Sequence, residues 1–153
     1  MKRLVFLDEV APVIFHAVIL GSIWLLFAGH NQPGGGFVGG LVAGAAISLR
    51  YLAGGISEVR SISRFEPWTI LGAGIALATA IALVPLLRGD AVMTSLGVSL
   101  DLPVFGHVYA STTLAFDVGV YLVVIGLVFM VFEAFGDDVA TRNDLAEQAG
   151  DEP

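Results

Sequence analysis

Residues 10–49 read VAPVIFHAVILGSIWLLFAGHNQPGGGFVGGLVAGAAISL, with no acidic or basic side chain between Glu9 and Arg50. A helix that crosses a bilayer core of about 30 Å takes about 20 mainly apolar residues. This stretch is therefore two spans joined by the polar turn Gly29-His30-Asn31-Gln32-Pro33. Further along, Pro67–Leu87 is also free of charge, and from Leu102 to Phe132 the only charged residue is Asp117. Backbone N–H and C=O groups in lipid must bond within their own segment, so each span is predicted to be a helix. The expected fold is an all-α integral membrane protein. It is a bundle of four transmembrane helices over about 10–29, 34–54, 67–87 and 110–134, within a membrane domain of residues 10–136.

Composition narrows the function classes. The chain has 153 residues, 56% hydrophobic and 14% charged, with a mean hydropathy of +0.86. Soluble domains carry about 25% charged residues, so neither an ordinary soluble enzyme nor a basic nucleic-acid binder fits. Cysteine is absent, which excludes thiolate chemistry and Cys-ligated zinc. His16, His30 and His107 are too dispersed for a metal site. No nucleophile–base pair and no cofactor loop is present, so no enzymatic activity, metal or cofactor is expected. Gly34-Gly35-Gly36-Phe37-Val38-Gly39 does satisfy G-x-G-x-x-G. A dinucleotide fingerprint needs a preceding strand, however, and here a membrane helix precedes it.

Orientation follows from the basic residues near the span ends. Lys2, Arg3, Arg50, Arg60, Arg64 and Arg142 fall on one side of the four-span layout and only Arg88 on the other. Both termini are therefore expected in the cytoplasm, with residues 1–9 as a cytoplasmic N-terminus. Lys2 and Arg3 precede a run longer than a signal-peptide core, so the first span is expected to be retained. The net charge of −7 is concentrated in residues 137–153, an acidic segment expected to be a solvated, disordered cytoplasmic tail. Ser57–Glu66 reads as a short cytoplasmic loop. In the longer outer loop Arg88–Tyr109, the alternation in Val98–Leu102 predicts a short extended segment.

Small residues recur every fourth position at Gly36, Gly40, Gly44 and Ser48, and again at Gly72, Ala76 and Ala80. Such faces let helix backbones approach closely in lipid, so both are expected to pack, within this chain or against other subunits.

The run Phe27-Ala28-Gly29-His30-Asn31-Gln32-Pro33-Gly34-Gly35-Gly36-Phe37-Val38-Gly39-Gly40-Leu41, with Leu114–Gly126 around Asp117, resembles the B subunit of Mrp-type multisubunit sodium/proton antiporters. The resemblance extends from about Val10 to Ala134. It implies an accessory subunit of a complex in the bacterial cytoplasmic membrane that exchanges sodium for protons in pH and salt homeostasis. The implied partners are the other antiporter subunits, including large ones resembling the proton-pumping subunits of complex I. The alternative is a purely structural scaffold subunit with no ion path through it.

Asp117 is the leading candidate for an ion path, because an acid inside a span is a functional-site hypothesis by default. With the last helix starting at residues 108–110, it lies roughly 10–14 Å along the axis at ~1.5 Å per residue. Thr113 and Tyr121, one turn to either side, extend a polar stripe. His30, at the outer turn, is a further waypoint candidate because histidine titrates near neutral pH. His16 is expected to bond across to another helix. Pro33, Gly34, Gly35, Gly36, Phe37, Gly39 and Gly40 form the hairpin and packing motif, with Phe37 a candidate wedge against a neighbouring subunit.

Overall fold

The computed structural model describes residues 5–29, 34–89, 97–102 and 106–150. Helix α1 spans Val5–Ala28, α2 Gly36–Gly54, α3 Ile56–Ile62 and α4 Pro67–Leu83, extended by a 3-10 turn at Val84–Arg88. Strands β1, Gly97–Leu102, and β2, Gly106–Ser111, precede α5, Thr112–Gly150. Four segments are long and apolar enough to cross a membrane: Val10–Ala28, Gly36–Gly54, Pro67–Leu87 and Thr112–Gly136. Their number is the expected four.

The differences lie at the ends of elements. Helix α1 begins at Val5, ahead of the expected span, so Pro12 sits in its interior. There it removes one main-chain hydrogen bond. The segment read as a cytoplasmic loop contains α3, whose Ile56, Val59 and Ile62 recur at helical spacing and turn inward, with Val59 buried. The extended segment expected at Val98–Leu102 is one arm of an antiparallel hairpin, paired from Gly97↔Ser111 to Leu102↔Gly106. Residues 137–150, read from their acidity as a tail, continue α5. Alanine, leucine, glutamate and glutamine there are good helix formers.

In space the long helices run in the order α1–α2–α5–α4, with α2 and α5 in the middle. The interfaces that α5 makes with α2 and α4 are both built on glycine. A methyl group on Gly40 would come within 2.8 Å of Val124 Cβ, and one on Gly44 within 2.9 Å of Val128. The predicted face of α2 therefore packs on α5, inside the chain. On α4 the expected face is not the one that meets α5. Gly72, Ala76 and Ala80 are exposed, and a methyl on Gly72 would meet nothing within 4 Å. Instead Gly74 lies against Gly119 and Val123, Ala78 against Gly119, and Leu71 against Gly126. A helix rich in Gly and Ala has several small faces, and the glycines of α5 select which one packs.

A compact core closes the end of the row remote from the α1–α2 turn. Ile47, Val59 and Phe129 are buried there beneath Phe15, Tyr51 and Phe132, and the Tyr51 and Phe132 rings stack at 4.7 Å. Arg50 forms a 2.6 Å ion pair with Glu58 and lies over the Phe15 ring. Elsewhere large apolar side chains such as Leu20, Trp24, Leu52 and Ile75 are exposed. A soluble protein rarely tolerates so much exposed apolar surface, but lipid or neighbouring membrane helices cover it naturally.

Candidate functional site

The α1–α2 turn and the start of α5 meet at the opposite end of the row. Gly35 has φ 96°, a left-handed conformation that glycine adopts without cost. Its N–H donates to the Leu25 carbonyl at 3.0 Å, which ties the turn back onto α1. A methyl group on Gly35 would stand 3.4 and 3.5 Å from the two carboxylate oxygens of Asp117. On Gly36 it would overlap the Asp117 backbone carbonyl, and on Gly34 it would come within 2.6 Å of the Leu25 carbonyl oxygen. The glycines of the motif thus let α1, α2 and α5 converge, and they hold the Asp117 carboxylate at the head of α2.

Two candidates from the sequence, Asp117 and the glycine turn, therefore form one site. Tyr121 follows one turn after Asp117 on α5. Its hydroxyl lies 2.9 Å from that of Ser22, which in turn donates to the Ile19 carbonyl at 2.8 Å. Ser22 has one hydroxyl hydrogen and spends it on Ile19, so Tyr121 is the donor to Ser22. The chain of hydroxyls ends on a backbone carbonyl, which cannot pass a proton onward. Tyr121 thus clamps α5 to α1. It passes α2 at Gly39, where a methyl group would come within 3.4 Å of the Tyr121 ring and 2.8 Å of the Ser22 carbonyl oxygen.

Ser22 is fully buried and is not one of the residues the sequence singles out. The one signal for it is a lone hydroxyl in the apolar run Val18–Leu26. Thr113 is exposed one turn before Asp117, and Phe37 is exposed at the start of α2, where an outward wedge would sit. His30 and Pro33 lie outside the described residues. Among the described residues His16 shows no bond to another helix. Its Nδ1 donates to the carbonyl of Pro12 in its own helix at 2.6 Å. Because α5 begins at Thr112, Asp117 is only about 7–8 Å along it at ~1.5 Å per residue, shallower than the ~10–14 Å expected from a helix that starts earlier.

Asp117 and Glu133 are the two acids of the span Thr112–Gly136 and stand near its opposite ends. Glu133 faces Arg60. Among the described residues no basic side chain pairs with Asp117 and no group of three or more potential metal ligands occurs.

Residues 6–130 match the family model described as a domain related to the MnhB subunit of Na+/H+ antiporter. The chain is 33% identical over 134 residues to the B subunit of the Na(+)/H(+) antiporter of Alkalihalophilus pseudofirmus, covering 88% of this chain and 93% of that one. It is likewise 33% identical over 132 residues to the corresponding antiporter protein of Bacillus subtilis, covering 86% and 92%. Among solved structures, a chain of the Mrp complex from a Dietzia species superposes with a TM-score of 0.75 at 32% identity. That match takes in 86% of this chain and 14% of the Dietzia chain.

Proposed function

Since the chain belongs to the family of MnhB-related Na+/H+ antiporter subunits, we propose that it acts in the bacterial cytoplasmic membrane as an accessory subunit that positions one carboxylate, Asp117, for ion handling. Sodium and protons are the transported ions, and the other antiporter subunits are the partners. The observation that carries this reading is the Asp117 carboxylate lying against Gly35 at the head of α2, with no cationic side chain paired to it among the described residues. A carboxylate in this setting can exchange a proton or meet a hydrated cation at the rim of the membrane. The hydroxyl chain of Tyr121 and Ser22 stops inside the protein, so the path runs along the surface of α5 shared with a partner subunit. The distribution of basic residues supports an orientation with Asp117 toward the outside and both termini in the cytoplasm.

Asp117→Asn keeps the shape and hydrogen bonding but cannot ionise. In membrane vesicles from cells expressing the whole complex, the expected result is an assembled complex with sodium/proton exchange slowed about tenfold, equivalent to roughly 1.4 kcal/mol. Asp117→Glu should retain part of the activity. Full exchange in the Asn variant would support the scaffold reading, which the dead end at the Ile19 carbonyl also favours.

A further inference from the structure

The end of the row remote from Asp117 contains a cavity of about 360 Å³ between α3, the start of α4 and α5. Pro67, in its wall, is the first residue of one span, and Glu133 lies three residues before the end of another at Gly136. The cavity therefore straddles the boundary between hydrocarbon and water. Phe65 also lines it and Trp68 follows one residue beyond Pro67; both are strongly exposed, as aromatic side chains in the headgroup region are. Buried Val59 and Phe129 supply an apolar floor.

The charges in the wall are balanced. Arg60 and Arg64 face the same space as Glu66 and Glu133. Arg60 reaches Glu133 at 3.5 Å, at the long end of a hydrogen bond. Arg64 and Glu66 form no ion pair with each other or with any other described residue. A simple anion would meet two carboxylates here, and a simple cation two guanidinium groups. A ligand that carries one charge of each sign meets partners for both.

We propose that this cavity holds the headgroup of a phospholipid bearing a phosphodiester and a primary ammonium, that is, phosphatidylethanolamine. The guanidinium groups of Arg64 and Arg60 donate to the phosphate oxygens, a geometry that suits arginine. Glu66 and Glu133 accept hydrogen bonds from the ammonium. Phe65 and Trp68 lie beside the acyl chains. The volume falls in the range of small-ligand pockets, about 300–1,000 Å³.

The test uses the assembled complex reconstituted in nanodiscs with equal amounts of phosphatidylethanolamine, phosphatidylcholine and phosphatidylglycerol. After re-extraction in mild detergent, retained lipid is identified by mass spectrometry. The wild type should be enriched in phosphatidylethanolamine over both others. Glu66→Gln should lower the ethanolamine-to-choline ratio about threefold, since the trimethylated headgroup has no N–H to lose. Arg64→Gln should lower retention of all three lipids. Retention in the supplied proportions, a preference for phosphatidylglycerol, or ratios unmoved by Glu66→Gln would each overturn the assignment. The wild-type result alone decides if a variant fails to assemble. Sodium/proton exchange is a separate readout, so its loss bears on the antiporter role and not on the lipid site.

Discussion

Tyr121 of α5 reaches past α2 to hydrogen-bond Ser22 of α1 at 2.9 Å, joining two helices that otherwise scarcely touch. Three helices are thereby pinned at one level, and α2 is admitted between the partners only because position 39 is glycine.

The energy of that clamp is measurable. Hydrogen bonds between membrane helices average about 0.6 kcal/mol in double-mutant cycles. Tyr121→Phe and Ser22→Ala should each lower the thermal stability of the purified complex slightly, and the double variant should be no worse than the poorer single one. Additive losses would show that the two hydroxyls contribute independently. Exchange rates at saturating sodium should be unchanged in Tyr121→Phe, in keeping with a clamp and not a relay.

Glycine substitutions should sort by what they face. A methyl group at Gly36 overlaps the Asp117 backbone, whereas one at Gly72 meets open space. Gly36→Ala should destabilise by about 1–3 kcal/mol, the usual cost of overpacking, and reduce recovery of the assembled complex. Gly72→Ala should leave this chain's own stability intact. Loss of co-purifying subunits in Gly72→Leu, with the chain still inserted, would mark the exposed face of α4 as a subunit contact.

Because the sequence contains no cysteine, single thiols report topology without background. Ser61→Cys, exposed in α3, should react with an impermeant maleimide only in inside-out vesicles. Ser95→Cys, in the segment after α4, should react only in right-side-out ones. Reaction of both in the same vesicles would contradict the four-span orientation.

The spans are legible in the sequence because charge is so costly in lipid that a run without it can be read directly, and Asp117 stands out for the same reason. The face of α2 is legible because Gly36, Gly40 and Gly44 stack on one side. The face of α4 is not, since Gly72, Gly74, Ala76 and Ala78 offer two equivalent sides and only the partner helix decides. Ser22 stays hidden because its partner lies 99 residues away. The shallower position of Asp117 comes from β2, which takes residues up to Ser111 that the apolar run alone would give to the helix.

The order of helices across the row also differs from their order along the chain, and this has a consequence for synthesis. Helices α1 and α2 are adjacent in both orders and can pair as soon as they leave the translocon. Helix α4 emerges next, yet its main neighbour is α5, which has not yet been made. Until α5 arrives and settles between α2 and α4, α4 is a lone apolar segment in the bilayer with its glycine face uncovered. Arrival of α5 is thus the event that converts a hairpin and a waiting helix into one packed row.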